Sequence, residues 1–154
     1  MISKLHSVFV LLVVLLSLEQ VFGYSNMTVT VGKNHKGVSF YCKAIDYQLC
    51  HRMEPIASKK AAISSAIFTH KDKQVKDVSV TFYTGKSCDG QWFRKTGSMK
   101  YNQSWKWSNF GKYNEKIRSF KIANFKTSNG NSGSNKQSPN GNYYTNNCEI
   151  IRYK

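Results

Sequence analysis

Residues 28–37 read TVTVGKNHKG and residues 81–90 read TFYTGKSCDG, and the two segments align without a gap. Thr28 falls on Thr81, Gly32 on Gly85, Lys33 on Lys86 and Gly37 on Gly90; three residues on, Phe40 falls on Phe93. The correspondence continues downstream. Ser65 lies 28 residues after Gly37 and Ser119 lies 29 after Gly90, and an isoleucine sits two before each serine, Ile63 and Ile117. A repeat of this kind makes each copy one supersecondary unit. Both copies open with alternating β-branched and aromatic residues (TVTV, SVTFYT), the pattern of a half-buried strand. A Gly/Lys/polar stretch follows, as a hairpin requires where φ must turn positive. A second strand comes next (VSFYC, QWFRK), then a longer irregular connection, then a strand-like piece after the serine (AIFTH, FKIAN). The helix-compatible stretch around Ser58–Ala62 is too short and plain for a membrane-active helix and reads as the connection within the first unit.

Outward from the repeat, the N-terminus carries an address. Residues 1–23 combine Lys4 with an apolar run from Val8 to Leu18, broken by Ser17 and closed by Glu19 and Gln20. The run is short for a bilayer span and has signal-peptide length, with Val21 and Gly23 as small residues before a cleavage point. We therefore expect a secreted, extracellular chain of residues 24–154 with no transmembrane segment. Downstream of the repeat, residues 124–141 (NFKTSNGNSGSNKQSPNG) are rich in Asn, Ser and Gly and read as a flexible loop. Residues 142–154 are β-prone and carry a cysteine, so an added strand or arm docked on the domain is expected.

All four cysteines, Cys42, Cys50, Cys88 and Cys148, lie after the signal. An even number in a secreted chain reads as two disulfides. Three pairings exist; we favour Cys42–Cys50 with Cys88–Cys148. The Cys42–Cys50 spacing is too wide for a structural zinc site. Asn26-Met27-Thr28 and Asn102-Gln103-Ser104 are glycosylation sequons.

The repeat resembles the βγ-crystallin Greek key. In that family each motif has an aromatic seven residues before a glycine, the glycine lies in a folded-over hairpin, and a serine nearly thirty residues later caps that hairpin. Tyr83, Gly90 and Ser119 fit the second motif. Gly37 and Ser65 fit the first, where Thr30 replaces the aromatic, and His35 and Cys88 stand where the family prefers an aromatic two before the glycine. The resemblance covers about residues 27–123. It implies an all-β fold, a βγ-crystallin-like two-sheet Greek-key sandwich, here with a C-terminal added strand or arm. It also implies a calcium site ending at each capping serine. Asn114-Glu115-Lys116-Ile117-Arg118-Ser119 has Arg118 in place of a hydroxyl ligand, and Lys60-Ala61-Ala62-Ile63-Ser64-Ser65 has lost both amide or acidic positions. Weak or absent calcium binding is expected, and no metal or other cofactor.

Charge points the same way as the address. The chain has 23 Lys+Arg against 8 Asp+Glu, a formal net charge of +15. Cleavage after Gly23 removes one base (Lys4) and one acid (Glu19) and leaves that balance unchanged. With 40% hydrophobic and 14% aromatic residues the chain can bury a core, which excludes wholesale disorder. Residues 94–121 hold Arg94, Lys95, Lys100, Lys106, Lys112, Lys116, Arg118 and Lys121, interleaved with Tyr101, Trp105, Trp107, Phe110, Tyr113 and Phe120. Cations beside flat aromatic faces suit an anionic polymer or sugar surface. Trp105 or Trp107 can equally fill the core. No HExxH, GxSxG or P-loop pattern occurs, and the cysteines are all paired, so no catalytic residue is assigned. His51 with Glu54, or His70, would be needed for a ribonuclease-like site.

The sequence thus predicts a monomeric, non-enzymatic, cationic secreted binder of antimicrobial, toxin or effector type. The resemblance adds precedent, since small secreted relatives of that fold include a killer toxin, antifungal proteins and a metalloproteinase inhibitor. Its partners would be anionic cell-surface or cell-wall polymers, lipid headgroups and, without sequence reading, nucleic acid. A structural or weakly calcium-binding extracellular protein, and a secreted ribonuclease-like effector, are the alternatives.

Overall fold

The computed structural model describes residues 25–45, 47–53, 63–124, 132–135, 143–145 and 148–151. The expected signal segment, the Ser58–Ala62 stretch, Glu54 and most of the Asn/Ser/Gly-rich segment lie outside these residues. The described chain is all-β. Its strands are β1 (Ser25–Thr30), β2 (Ser39–Ile45), β3 (Cys50–Arg52), β4 (Ser65–Thr69), β5 (Asp77–Tyr83), β6 (Gly90–Ser98), β7 (Ser104–Trp107), β8 (Ser119–Asn124), β9 (Ser132–Asn135), β10 (Tyr143–Thr145) and β11 (Cys148–Ile151). Two short 3-10 turns interrupt them, at Lys33–His35 and Gly111–Tyr113.

The strands form two sheets. The first has the order β11-β2-β1-β4-β7 and the second β10-β3-β8-β5-β6-β9. All pairs are antiparallel except β10 with β3. Each repeat unit therefore keeps three of its strands together and gives its short third strand to the other sheet: β3 joins β8, and β7 joins β4. These third strands lie inside the connections that looked irregular in sequence. Three and four residues carry too little alternation to be legible.

The core lies between the facing sheets. Met27, Val29, Phe40, Ala66, Phe68 and Trp105 from the first sheet meet Val78, Val80, Phe82, Phe120 and Ile122 from the second in one cluster of buried side chains. Phe82 is its hub, with ring centroids 5.0–5.1 Å from Phe93, Phe110 and, across the sheets, Trp107. Period-two alternation puts these residues inward and their neighbours outward. The central strand β5 is buried on both faces, yet its outward residues are Ser79, Thr81 and Tyr83, which carry hydroxyls.

The two units repeat their hydrogen bonds as well as their letters. Ser65 Oγ donates to the Gly32 carbonyl at 2.7 Å and accepts from the His35 N–H at 3.2 Å. Ser119 Oγ donates to the Gly85 carbonyl at 2.7 Å and accepts from the Cys88 N–H at 3.0 Å. His35 and Cys88 have left-handed backbones, with φ of 59° and 53°. Gly37 and Gly90 follow at φ 109° and 76°, where a side chain would be strained. Ser64 N–H to the Thr30 carbonyl (3.0 Å) matches Arg118 N–H to the Tyr83 carbonyl (2.9 Å), and Ile63 bridges Ile117 between the units.

The disulfides are Cys42–Cys148 and Cys50–Cys88. This corrects the pairing favoured from sequence, Cys42–Cys50 with Cys88–Cys148. Cys42 lies on β2 in the first sheet and points into the core, whereas Cys50 lies on β3 in the second sheet, so the seven residues between them cross from one sheet to the other. Cys42 is met in register by Cys148 on β11. Cys50 is met by Cys88 in the hairpin that Ser119 clasps. Beyond residue 142, Tyr143–Thr145 pairs with β3 in the second sheet and Cys148–Ile151 with β2 in the first, the latter tied by the disulfide to Cys42. Within the segment expected to be loop, Ser132–Asn135 instead pairs with Gly90–Phe93 of β6. Backbone pairing at a sheet edge needs no apolar side chain, which is why composition alone missed it.

Candidate anionic-ligand site

Register decides where the cations go. Across the second sheet, Arg94 pairs with Thr81, Thr81 with Lys121, and Lys121 with Cys50. The next row reads Trp92, Tyr83, Ser119 and Arg52. Both rows point away from the core. Arg94 and Lys121 are therefore two strand spacings apart, about 10 Å, on one outer face, with Arg52 on the diagonal from Lys121. All three are half-buried.

Arg94 is held rather than free to wander. Its Nε donates to Thr81 Oγ1 at 2.9 Å, and its guanidinium lies over the Trp92 ring at 4.9 Å from the centroid. The stack and the Tyr83 hydroxyl, to which Arg94 is also hydrogen-bonded, fix the guanidinium plane, the flat geometry with which a guanidinium meets a planar oxyanion. Tyr83 stands beside it. Burial pushes the Tyr83 hydroxyl above its ordinary range, and the Arg94 charge opposes that shift. Tyr83 stays a neutral hydroxyl there. Arg52 Nη2 donates to Ser87 Oγ at 3.1 Å, tying the third cation to the clasped hairpin. Asp77, the acid on this face of β5, lies at the far end of the strand and accepts from Ser98 Oγ at 2.6 Å.

The other cations of residues 94–121 do not join this face. Lys95 points to the opposite side of β6, and its ammonium sits 5.0 Å from the Trp105 ring and 5.7 Å from the Trp107 ring. Trp105 is buried and Trp107 packs against the core, so both serve mainly as core. Lys106 lies on the outer face of the first sheet opposite Ile67. Lys100 is exposed in the β6–β7 turn. Lys112 lies over Tyr113 at 5.2 Å, and Lys116 and Arg118 are exposed in the β7–β8 connection. A single patch made of the eight is thus not what folding produces: the linear cluster wraps around the molecule. Arg52 was missed because the strand exchange brings β3 to this sheet, and no spacing within residues 94–121 signals it; Trp92 lies on β6 just outside that run, two residues before Arg94 and so on the same face of the strand.

Two of the three described histidines, His51 and His70, are fully buried. His51 is fully buried and stacks on Phe120 at 5.1 Å; the proposed partner Glu54 is outside the described residues. His70 is also fully buried. Its Nε2 donates to the Val75 carbonyl at 2.7 Å, and its Nδ1 meets the Tyr47 hydroxyl at 2.8 Å. Burial pushes Tyr47 up to about 12. His35 is held below its ordinary range by burial and by the Lys106 charge. Around Ser119, Asn114 Oδ1 accepts from the Phe110 N–H at 2.7 Å and Arg118 is exposed. Among the described residues no group of three or more His, Cys, Asp or Glu is placed to hold a metal ion. Both sequon asparagines fall toward one end of the first sheet: Asn26 pairs with Thr69 on β4, and exposed Asn102 lies in the turn leading to Ser104, which pairs with Thr69.

No family model, curated protein or solved structure matches the chain. What can be said of function therefore rests on the geometry of the residues themselves.

Proposed function

We propose that the chain is a secreted, disulfide-stabilised, non-enzymatic binding protein that acts on anionic cell-surface or cell-wall polymers, in the manner of an antimicrobial, toxin-like or effector protein. The observation that carries this reading is Arg94 stacked on Trp92 and fixed by Thr81, with Lys121 and Arg52 on the same outer face. A preformed guanidinium plane loses little freedom on gripping a carboxylate, sulfate or phosphate ester. The net charge of +15 supplies long-range attraction for such a partner. Disulfides accord with an oxidising compartment.

As scaffold we propose a βγ-crystallin-like Greek key. The orders β2-β1-β4-β7 and β3-β8-β5-β6 support it, as do the paired serine clasps. The fold argues for no particular partner, because function resides in the site.

The test is binding of the mature protein to immobilised sulfated, phosphorylated and neutral polysaccharides at low and high salt. Binding should be confined to the anionic polymers and fall steeply with salt. Arg94→Ala should weaken it about tenfold, the loss of one charge-assisted contact, whereas Lys112→Ala, equal in charge, should barely matter. Equal effects from both substitutions would reduce the site to diffuse charge. Salt-independent binding, or none, would remove the reading.

A further inference from the structure

A second cationic feature lies at the end of the sheets, away from Arg94. The β4–β5 connection and the β6–β7 turn are knitted together there. His70 N–H donates to the Gln103 carbonyl (3.0 Å), Asn102 N–H to the His70 carbonyl (2.8 Å) and Met99 N–H to the Lys76 carbonyl (2.8 Å). Gln103 Oε1 further accepts from the Lys100 N–H at 2.8 Å. The result is a braced tip. At its surface stands Tyr101, 47% exposed, one of two large apolar side chains so exposed among the described residues.

Two ammonium groups converge on that ring: Lys73 Nζ lies 5.3 Å and Lys71 Nζ 5.7 Å from its centroid. Lys71 also donates to Asn102 Oδ1, and Lys100 adjoins Tyr101 in sequence. The acid between the two lysines, Asp72, does not neutralise them. Its carboxylate is turned inward, 7% exposed, where Oδ1 accepts from the Gln74 N–H at 2.7 Å and the Val75 N–H at 3.3 Å. The ion pair between Lys43 and Glu149 lies elsewhere. Like charges gathered on one ring without a counter-ion repel, and the arrangement is relieved by an anion seated between them.

We propose that this tip binds the phosphate of anionic phospholipid headgroups, with Lys71, Lys73 and Lys100 around the phosphate and the Tyr101 ring at headgroup level. A tyrosine joins an apolar ring to a polar hydroxyl, the combination that settles at a membrane–water boundary, and nearby lysines are drawn to the negative surface. A single aromatic on a braced tip suits a flat bilayer better than an extended polymer, which would need a track of contacts along a face. The proposal rests on the reading of the protein as a binder of anionic surfaces but uses residues separate from the Arg94 face.

The test is co-sedimentation of the mature protein with vesicles of phosphatidylcholine alone and of phosphatidylcholine with phosphatidylserine, alongside the sulfated polysaccharide used for the Arg94 face. Lys71→Gln with Lys73→Gln should lower partitioning onto the phosphatidylserine vesicles about thirtyfold, the equivalent of ~1 kcal/mol per lysine. Tyr101→Ala should lower it as well, and all these variants should keep polysaccharide binding and thermal stability. Inorganic phosphate that competes with the vesicles supports recognition of the phosphate group. Phosphate that perturbs Tyr101 in a protein that ignores vesicles would assign the tip to a free anion and overturn the lipid site. Variants that partition like the wild type would overturn it while leaving the Arg94 reading intact; a wild type that binds neither vesicles nor polysaccharide would overturn both.

Discussion

Ser65 and Ser119 have no exposed surface, and each hydroxyl both donates to and accepts from the backbone of its own unit's hairpin. Removing such a group strands a carbonyl and an N–H that are at least partly buried, which costs about 1–3 kcal/mol. Ser119→Ala should therefore lower the unfolding free energy by that amount, read from the shift of the denaturant midpoint, and Ser65→Ala should do the same, since the contacts match. A much smaller loss in one of them would mean that the two hairpins are not held alike. At the same scale, Tyr47 sets an alkaline limit. Its hydroxyl is raised from 10.0 to about 12 in the folded chain, chiefly by burial. The unfolded chain thus loses its proton first, and stability contributed by neutral Tyr47 is present below about pH 10 and lost as pH rises toward 12. Tyr47→Phe should flatten that part of an unfolding curve measured against pH.

Among the elements, the strand that closes the chain depends on a covalent tie. β11 pairs with β2 in register through Cys148 and Cys42, 106 residues apart. Replacing both by serine should cost about 2–5 kcal/mol, the usual loss on removing a disulfide from a small secreted domain, and should expose the amides of β2 to hydrogen exchange before those of β5. The elements also show how far letters alone can carry a fold. The first, second and fourth strands of each unit are legible because four to six residues of alternation survive in TVTV, SVTFYT and QWFRK, and because Ser65 and Ser119 recur at matched distances. The third strands are not, and with them goes the cysteine pairing. Once Cys50 is carried to the opposite sheet, its neighbour in space is Cys88 and no longer Cys42. The same displacement hid the binding face. Arg94 and Lys121 were identified, but as members of a run of eight that register then divides among both sheets and two connections. Arg52, Lys71 and Lys73 come from outside that run and meet its residues only through the fold, whereas Trp92 lies two residues before Arg94 on the same strand.

For the whole molecule, charge is the dominant property. With 23 Lys+Arg and 8 Asp+Glu, most cations have no acid to pair with, and the net charge of +15 attracts a polyanion at long range. Encounter should therefore be governed by ionic strength, with association rates that fall over several-fold between low and physiological salt as screening shortens to about 8 Å. The two faces should separate at the dissociation step, where Arg94→Ala acts on polysaccharide complexes and Lys71→Gln on vesicle complexes. Stopped-flow and release measurements distinguish these steps.

The exchange of third strands bears on what one unit could do by itself. A polypeptide carrying one unit alone would own a strand with nowhere to lie and a sheet with a gap beside its fourth strand. Two identical copies would satisfy each other, each lending what the other lacks, so a polypeptide of one unit alone should assemble as a twofold dimer rather than fold as a monomer.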